Sequence, residues 1–135
     1  MSLLPDKKSV PKQNFHEYMK LYYGAPSTGK TSTAAQNDDA IFLMFEDGIA
    51  GLSVYNVNIP KQAKKLGKRQ WEVFLDLIEE LLNEEHNFNE VVIDSGDRGI
   101  DACFNYTEEI NGYDDLTTQG FGKGWQELRK NFTKQ

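Results

Sequence analysis

The sequence predicts an α/β domain built on a mainly parallel sheet. Three observations carry that expectation. Residues 17–23, Glu-Tyr-Met-Lys-Leu-Tyr-Tyr, are strand formers that run straight into a glycine-rich turn. Two further short apolar runs, at 40–45 and 90–95, each end at acidic residues. Helical patterns stand between and after these runs, and strands alternating with helices favour a parallel sheet with right-handed crossovers.

Taken in order, residues 1–16 are polar, carry two prolines and read as an irregular lead-in. Residues 17–135 read as one domain, opening on the strand at 17–23. A helix is expected from Lys30 to about Gln36, closed by the turn signal Asn37-Asp38-Asp39. The run Ala40-Ile41-Phe42-Leu43-Met44-Phe45 is continuously apolar, which suits a strand covered on both faces. Residues 48–70 are mixed and give no clear element.

From Trp71 to His86 the helical signal is clearest. Trp71, Phe74, Leu75, Ile78, Leu81 and Leu82 recur at three- and four-residue spacing and define one apolar face. Glu79, Glu80, Glu84 and Glu85 oppose the macrodipole near its end, so fraying is expected there. Glu90-Val91-Val92-Ile93-Asp94-Ser95 then reads as a short buried strand. A helix is expected over 97–110 and a loop over 111–115. The segment 119–124 is too glycine-rich for a helix interior, and a helical pattern resumes from Trp125 to Phe132.

Composition excludes several classes. The chain has 135 residues, 39% hydrophobic, which suffices for one core and argues against wholesale disorder. No apolar run approaches the ~20 residues a spanning helix needs, and the N-terminus lacks a secretory apolar stretch. A cytoplasmic protein is the expectation. One cysteine, Cys103, allows neither an internal disulfide nor a multi-cysteine metal site. His16 and His86 lack ligand spacing and read as surface residues. The net charge of −6 counts against strong nucleic-acid binding by this piece alone. The one basic excess is Lys61, Lys64, Lys65, Lys68 and Arg69. It reads as a solvated face, with a phosphate-backbone contact as the alternative.

Chemistry concentrates in Gly24-Ala25-Pro26-Ser27-Thr28-Gly29-Lys30-Thr31, followed by Ser32. It matches G-x-x-x-x-G-K-[ST], after an expected strand and before an expected helix. Chance would supply such a match in well under ~1% of chains this long, so a nucleotide loop outweighs a glycine-rich turn. Gly24 and Gly29 allow backbone angles that a Cβ would forbid. Main-chain N–H groups of 24–32 would line a phosphate concavity. Lys30 would neutralise the β- and γ-phosphates of ATP, and the Thr31 hydroxyl would face Mg²⁺.

Val91-Val92-Ile93-Asp94 is four strand residues followed by a carboxylate, the Walker B pattern, which places Asp94 on the metal through a water. Hydrolysis also needs a group to take a proton from water. The residue after Asp94 is Ser95, which cannot. Glu46 ends the strand at 40–45 and would emerge beside Asp94 at the C-terminal sheet edge, where ligands bind in such sheets. Glu46 is therefore the expected base, against a solvated loop carboxylate beside Asp47. A P-loop kinase would bring an arginine-rich lid, whereas the arginines here are Arg69, Arg98 and Arg129. A GTPase would bring an Asn-Lys-x-Asp motif, which is absent from the sequence.

Phe45-Glu46-Asp47 and Val92-Ile93-Asp94-Ser95 resemble the RecA-type ATPase core. Within it the chain most resembles the phage nucleotide-binding proteins, including ATPases linked to single-strand annealing and recombination. Tyr23 through Thr31, Glu46-x-Gly48, Ile93-Asp94-Ser95 and Gly122-Lys123-Gly124-Trp125 carry the likeness, over roughly residues 17–132. The resemblance implies a RecA-like sheet flanked by helices and an ATPase converting ATP and water to ADP and phosphate with magnesium. It further implies single-stranded DNA and further copies of the chain as partners, in the cytoplasm of a bacterial host. It maps the catalytic glutamate onto Glu46 and the metal-associated aspartate onto Asp94. Relatives continue with another strand that lies between the P-loop strand and the Asp94 strand. With this chain stopping at Gln135, a C-terminally truncated core with a gap in its sheet is the expectation. Sensor, DNA-binding loops and arginine finger would then lie beyond it.

Overall fold

A computed structural model describes residues 4, 7–14, 17–47 and 49–133. His16, Gly48 and the first three residues lie outside the described residues. Among the described residues the sheet has three parallel strands: β1 (Ala40–Met44), β2 (Tyr55–Asn58) and β3 (Glu90–Asp94), in the order β2-β1-β3. Ile41 pairs with Tyr55 on one side and Val91 on the other, and Met44 with Asn58 and Asp94.

The central strand is buried along its whole length, as its unbroken apolar run requires. Ile41, Leu43 and Phe45 face one side and pack with Ile59, Trp71, Phe74 and Cys103. Ala40, Phe42 and Met44 face the other and pack with Ala34. Helices α2 (Ile59–Leu66), α3 (Gln70–Asn83) and α4 (Gly96–Asn111) supply the first layer. The short α1 (Lys30–Ala34) contributes to the second.

Several sequence expectations change here. Residues 17–23 form no strand among the described residues. Strand propensity favours an extended backbone, yet a strand needs a hydrogen-bonding neighbour, and β3 is paired only to β1. Met19, Leu21 and Tyr23 are exposed while Lys20 is largely covered. The segment runs beside β3 across a groove of about 560 Å³, with Val91 and Ile93 half-exposed along the far wall. Three side-chain contacts tie it and the loop after α1 to the start of β3. Lys20 pairs with Glu90 at 2.8 Å, and Asn37 donates to Glu90 at 3.1 Å and to Asn89 at 2.8 Å.

Residues 48–70 hold β2 and α2, which the sequence left unassigned. Asn58 caps α2 by accepting from the Lys61 N–H at 2.9 Å, Pro60 stands in its first turn, and Gly67 ends it. α3 begins where the Glu72 carboxylate accepts the Arg69 N–H at 2.8 Å. Trp71, Val73 and Phe74 are buried, whereas Leu82 is exposed, so the apolar face is shorter than its periodicity suggested. Beyond Asn83, His86 caps the helix end, with Nε2 2.7 Å from the Leu81 carbonyl.

The glycine-rich stretch resolves into two 3-10 turns, Leu116–Thr118 and Gly120–Gly122, and α5 (Lys123–Thr133) starts two residues before Trp125. Gly124 lies inside that helix because Leu116 presses on it. A Cβ there would stand 2.3 Å from the Leu116 carbonyl oxygen. Trp125 is 49% exposed and meets Phe104 edge-on, so it belongs to the helix surface rather than the core.

Candidate nucleotide site

Residues 24–29 form an exposed loop between the extended segment and α1. Its backbone takes the left-handed region at Gly29 (φ 88°) and even at Ser27 (φ 63°), while Gly24 sits at φ 149°. Such alternation turns successive N–H groups toward one side of a loop, the geometry of an anion concavity. The α1 helix spans five residues, shorter than the expected reach to Gln36. The macrodipole of so short a helix is small, so the loop amides carry most of any attraction for phosphate.

Lys30 is half-buried and folds back over the loop, donating at 2.8 Å to the carbonyls of Gly24 and Ala25. The ammonium thus stands over the concavity without a carboxylate partner among the described residues. Thr28 donates to the Ala25 carbonyl and Thr33 to the Gly29 carbonyl, both at 2.8 Å, which braces the loop at each end.

Across the sheet edge, the Thr31 hydroxyl donates to the Asp94 carboxylate at 2.7 Å. Both side chains are partly buried. This contact joins the loop to the last residue of β3, and Lys30, Thr31, Asp94 and Ser95 all line the same groove. A hydroxyl and a carboxylate side by side are hard oxygen donors of the kind that hold Mg²⁺ with water completing its shell. Among the described residues no cluster of three or more His, Cys, Asp or Glu forms a rival metal centre.

Glu46 lies one residue beyond the β1·β3 ladder, which ends as the Phe45 N–H donates to the Asp94 carbonyl at 2.7 Å. It therefore emerges at the C-terminal edge, as the sequence implied, but it does not line the groove. Its carboxylate is half-exposed and 3.9 Å from the Arg98 Nε. Asp47 turns the other way, accepting from Asn58 Nδ2 at 2.6 Å with Lys61 Nζ at 3.4 Å. Nothing in the spacing of Arg98 and Asn58 announces that α4 and α2 start beside these carboxylates.

The Ser95 hydroxyl is buried and, among the described residues, lacks a partner of good hydrogen-bond geometry. It still lies near enough to Asp97 to be the main cause, with the Arg98 N–H next, that holds the Asp97 carboxyl below the usual aspartate range.

The basic stretch is largely neutralised within the chain. Lys68 pairs with Asp76, Arg69 with Glu109 at 2.6 Å and Glu72 at 3.5 Å, and Lys61 with Asp47. That favours the solvated-face reading over a phosphate contact, leaving Lys64 and Lys65 exposed on α2.

A parallel three-stranded sheet, a glycine-rich loop ahead of a helix, and a strand-end aspartate bonded to the loop's threonine define a P-loop NTPase domain. A family model described as an AAA domain matches residues 16–135, nearly the whole chain, and the chain belongs to that family. The family is one of nucleotide-binding, ATPase-type domains. No curated protein and no solved structure matches the chain. Among the described residues no helix is long and apolar enough to cross a membrane.

Proposed function

We propose that the protein is a Mg²⁺-dependent ATPase supporting phage DNA recombination or single-strand annealing. The observation that carries the catalytic half is the 2.7 Å hydrogen bond from Thr31 to Asp94, which joins two motifs distant in sequence. The resemblance of the loop, of Ile93-Asp94-Ser95 and of the Gly122–Trp125 segment to phage recombination ATPases supports the biological half.

In this reading the amides of Gly24, Ala25, Pro26-flanking Ser27, Thr28, Gly29, Lys30, Thr31 and Ser32 wrap the triphosphate, with Pro26 itself shaping the turn. Lys30 leaves the Gly24 and Ala25 carbonyls for the β- and γ-phosphate oxygens, a charge-assisted exchange. Thr31 and Asp94 would hold Mg²⁺, Asp94 through a water, and the bound ion would neutralise charge on those same phosphates. Glu46 orients the attacking water and accepts its proton. Single-stranded DNA and further copies of the chain are the partners that the resemblance suggests.

A second reading is a nucleotide-regulated DNA-binding or scaffolding module with little hydrolysis. It draws on the position of Glu46 outside the residues that line the groove. Steady-state phosphate release with and without single-stranded DNA separates the two. The ATPase reading expects turnover that falls roughly 100-fold or more in Glu46→Gln, in line with loss of a general base, while ATP affinity stays within about twofold. Bound ATP with no turnover in the unsubstituted protein would favour the second reading.

A further inference from the structure

Glu46 and Asp47 are adjacent carboxylates at the end of β1, and the structure separates them. Asp47 is held toward α2 by Asn58 and Lys61. Glu46 is drawn the opposite way, toward the first turn of α4 and the β3 side where Asp94 ends its strand. The residue that does this is Arg98. Its placement is not accidental to the packing. Gly99 crosses so close to the Phe45 ring that an added Cβ would lie 3.1 Å from it, and this close crossing brings their chain neighbours Arg98 and Glu46 near each other.

Arg98 also has a second carboxylate at hand. Its Nε is 3.9 Å from Glu46, and its Nη1 is 3.7 Å from Asp101 one helical turn on. A guanidinium spanning two carboxylates is restrained from both sides without being buried by either. Its charge attracts the Glu46 carboxylate while leaving it in reach of solvent, as a proton acceptor for water requires.

We propose that Arg98 is a positioning residue: it holds the Glu46 carboxylate on the Asp94 side of the sheet edge, where it can address the γ-phosphate, while Asn58 and Lys61 withdraw Asp47. This rests on the reading of Glu46 as the base. Exposed ion pairs are individually weak, so the effect on rate is modest. Arg98→Ala is expected to lower kcat roughly three- to fivefold with ATP affinity unchanged, since Arg98 acts through Glu46 and not through the nucleotide.

The experiment is a double-mutant cycle on the full chain, read as single-turnover ATP hydrolysis, ATP affinity and melting temperature. Arg98→Ala should slow the unsubstituted protein and have no further effect in a Glu46→Gln background. Arg98→Lys should restore at least part of the lost rate, and Asp47→Asn should leave it within about twofold. Melting temperatures should stay close throughout, which separates positioning from a structural role. If Arg98→Ala slows Glu46→Gln by the same factor, or leaves the unsubstituted rate alone, the assignment of Arg98 is wrong while the base reading stands. If Glu46→Gln keeps full turnover, or the unsubstituted protein shows none, the base reading fails and Arg98 falls with it.

Discussion

The Lys30 ammonium donates to two carbonyls of the loop that precedes it, and Thr31 to a carboxylate from another strand. The carbonyls thus hold Lys30 where phosphate oxygens can replace them, and the Thr31 hydroxyl faces Asp94 where a cation can take its place. Cys103 shows the opposite situation. It is fully buried, and desolvation pushes its thiol up to about 11 from an ordinary value near 9. A thiolate is the reactive species, so alkylation of the native protein at pH 8 should run at least ~100-fold slower than in the urea-unfolded chain. Comparable rates in the two states would mean that α4 opens readily. The sign for stability follows from the same shift. Folding favours the neutral thiol, so this contribution is complete below about pH 9 and is lost as pH rises toward 11. Melting temperature measured across that range should fall less steeply in Cys103→Ala than in the unsubstituted protein.

Among elements, α5 tests how far a single glycine can decide packing. Gly→Ala in a helix ordinarily stabilises by up to ~1 kcal/mol. At Gly124 the sign should reverse, because the new Cβ would meet a backbone carbonyl at 2.3 Å and a backbone cannot rotate aside. Gly124→Ala is expected to destabilise by ~2 kcal/mol, lowering the melting temperature by roughly 5–10 °C. Gly120→Ala, which meets nothing within 4 Å, should stay within ~0.5 kcal/mol of the parent in the same thermal scan. The same stretch marks the limit of reading elements from sequence. Glycines suggested a loop through residue 124, since propensity registers the missing side chain and not the neighbour that demands it. β1, β3, α3 and α4 were legible because their burial patterns are periodic or continuous over most of their length. The α2 boundaries were encoded too, in Asn58, Pro60 and Gly67, but the element between them is short and mostly polar. The segment at 17–23 failed for a different reason: its composition is right for a strand, and strand formation depends on a neighbour that composition cannot specify. At the site, the loop and Asp94 were legible from fixed spacing. Arg98 was not, since its contact with Glu46 arises from how α4 crosses Phe45.

For the molecule as a whole, the site is divided between two unequal supports. Asp94 and Glu46 stand on a strand pair paired along its length and buried at its centre. The loop stands on an exposed segment outside the sheet and on a five-residue helix. Side-chain contacts bridge these halves: Thr31 to Asp94, Lys20 to Glu90, and Asn37 to Asn89 and Glu90. A ligand gripping loop amides, Lys30, Thr31 and Asp94 at once would tie the weaker half to the stronger. Binding to the folded state alone stabilises by ~2.7 kcal/mol at a hundredfold excess over Kd. For a chain of this size that is a rise of roughly 10 °C in melting temperature. ATP with Mg²⁺ should produce it, and a chelator should remove much of it. Lys30→Ala should abolish it, because no other cation of the loop replaces the ammonium there. GTP at the same concentration should compete poorly if the base is read as adenine. Hydrogen exchange should place the new protection in residues 24–34 and around Lys20, with little change in β1, whose amides are already held. A rise of the same size in Lys30→Ala would locate the nucleotide elsewhere, and no rise in either protein would remove the loop as a binding site.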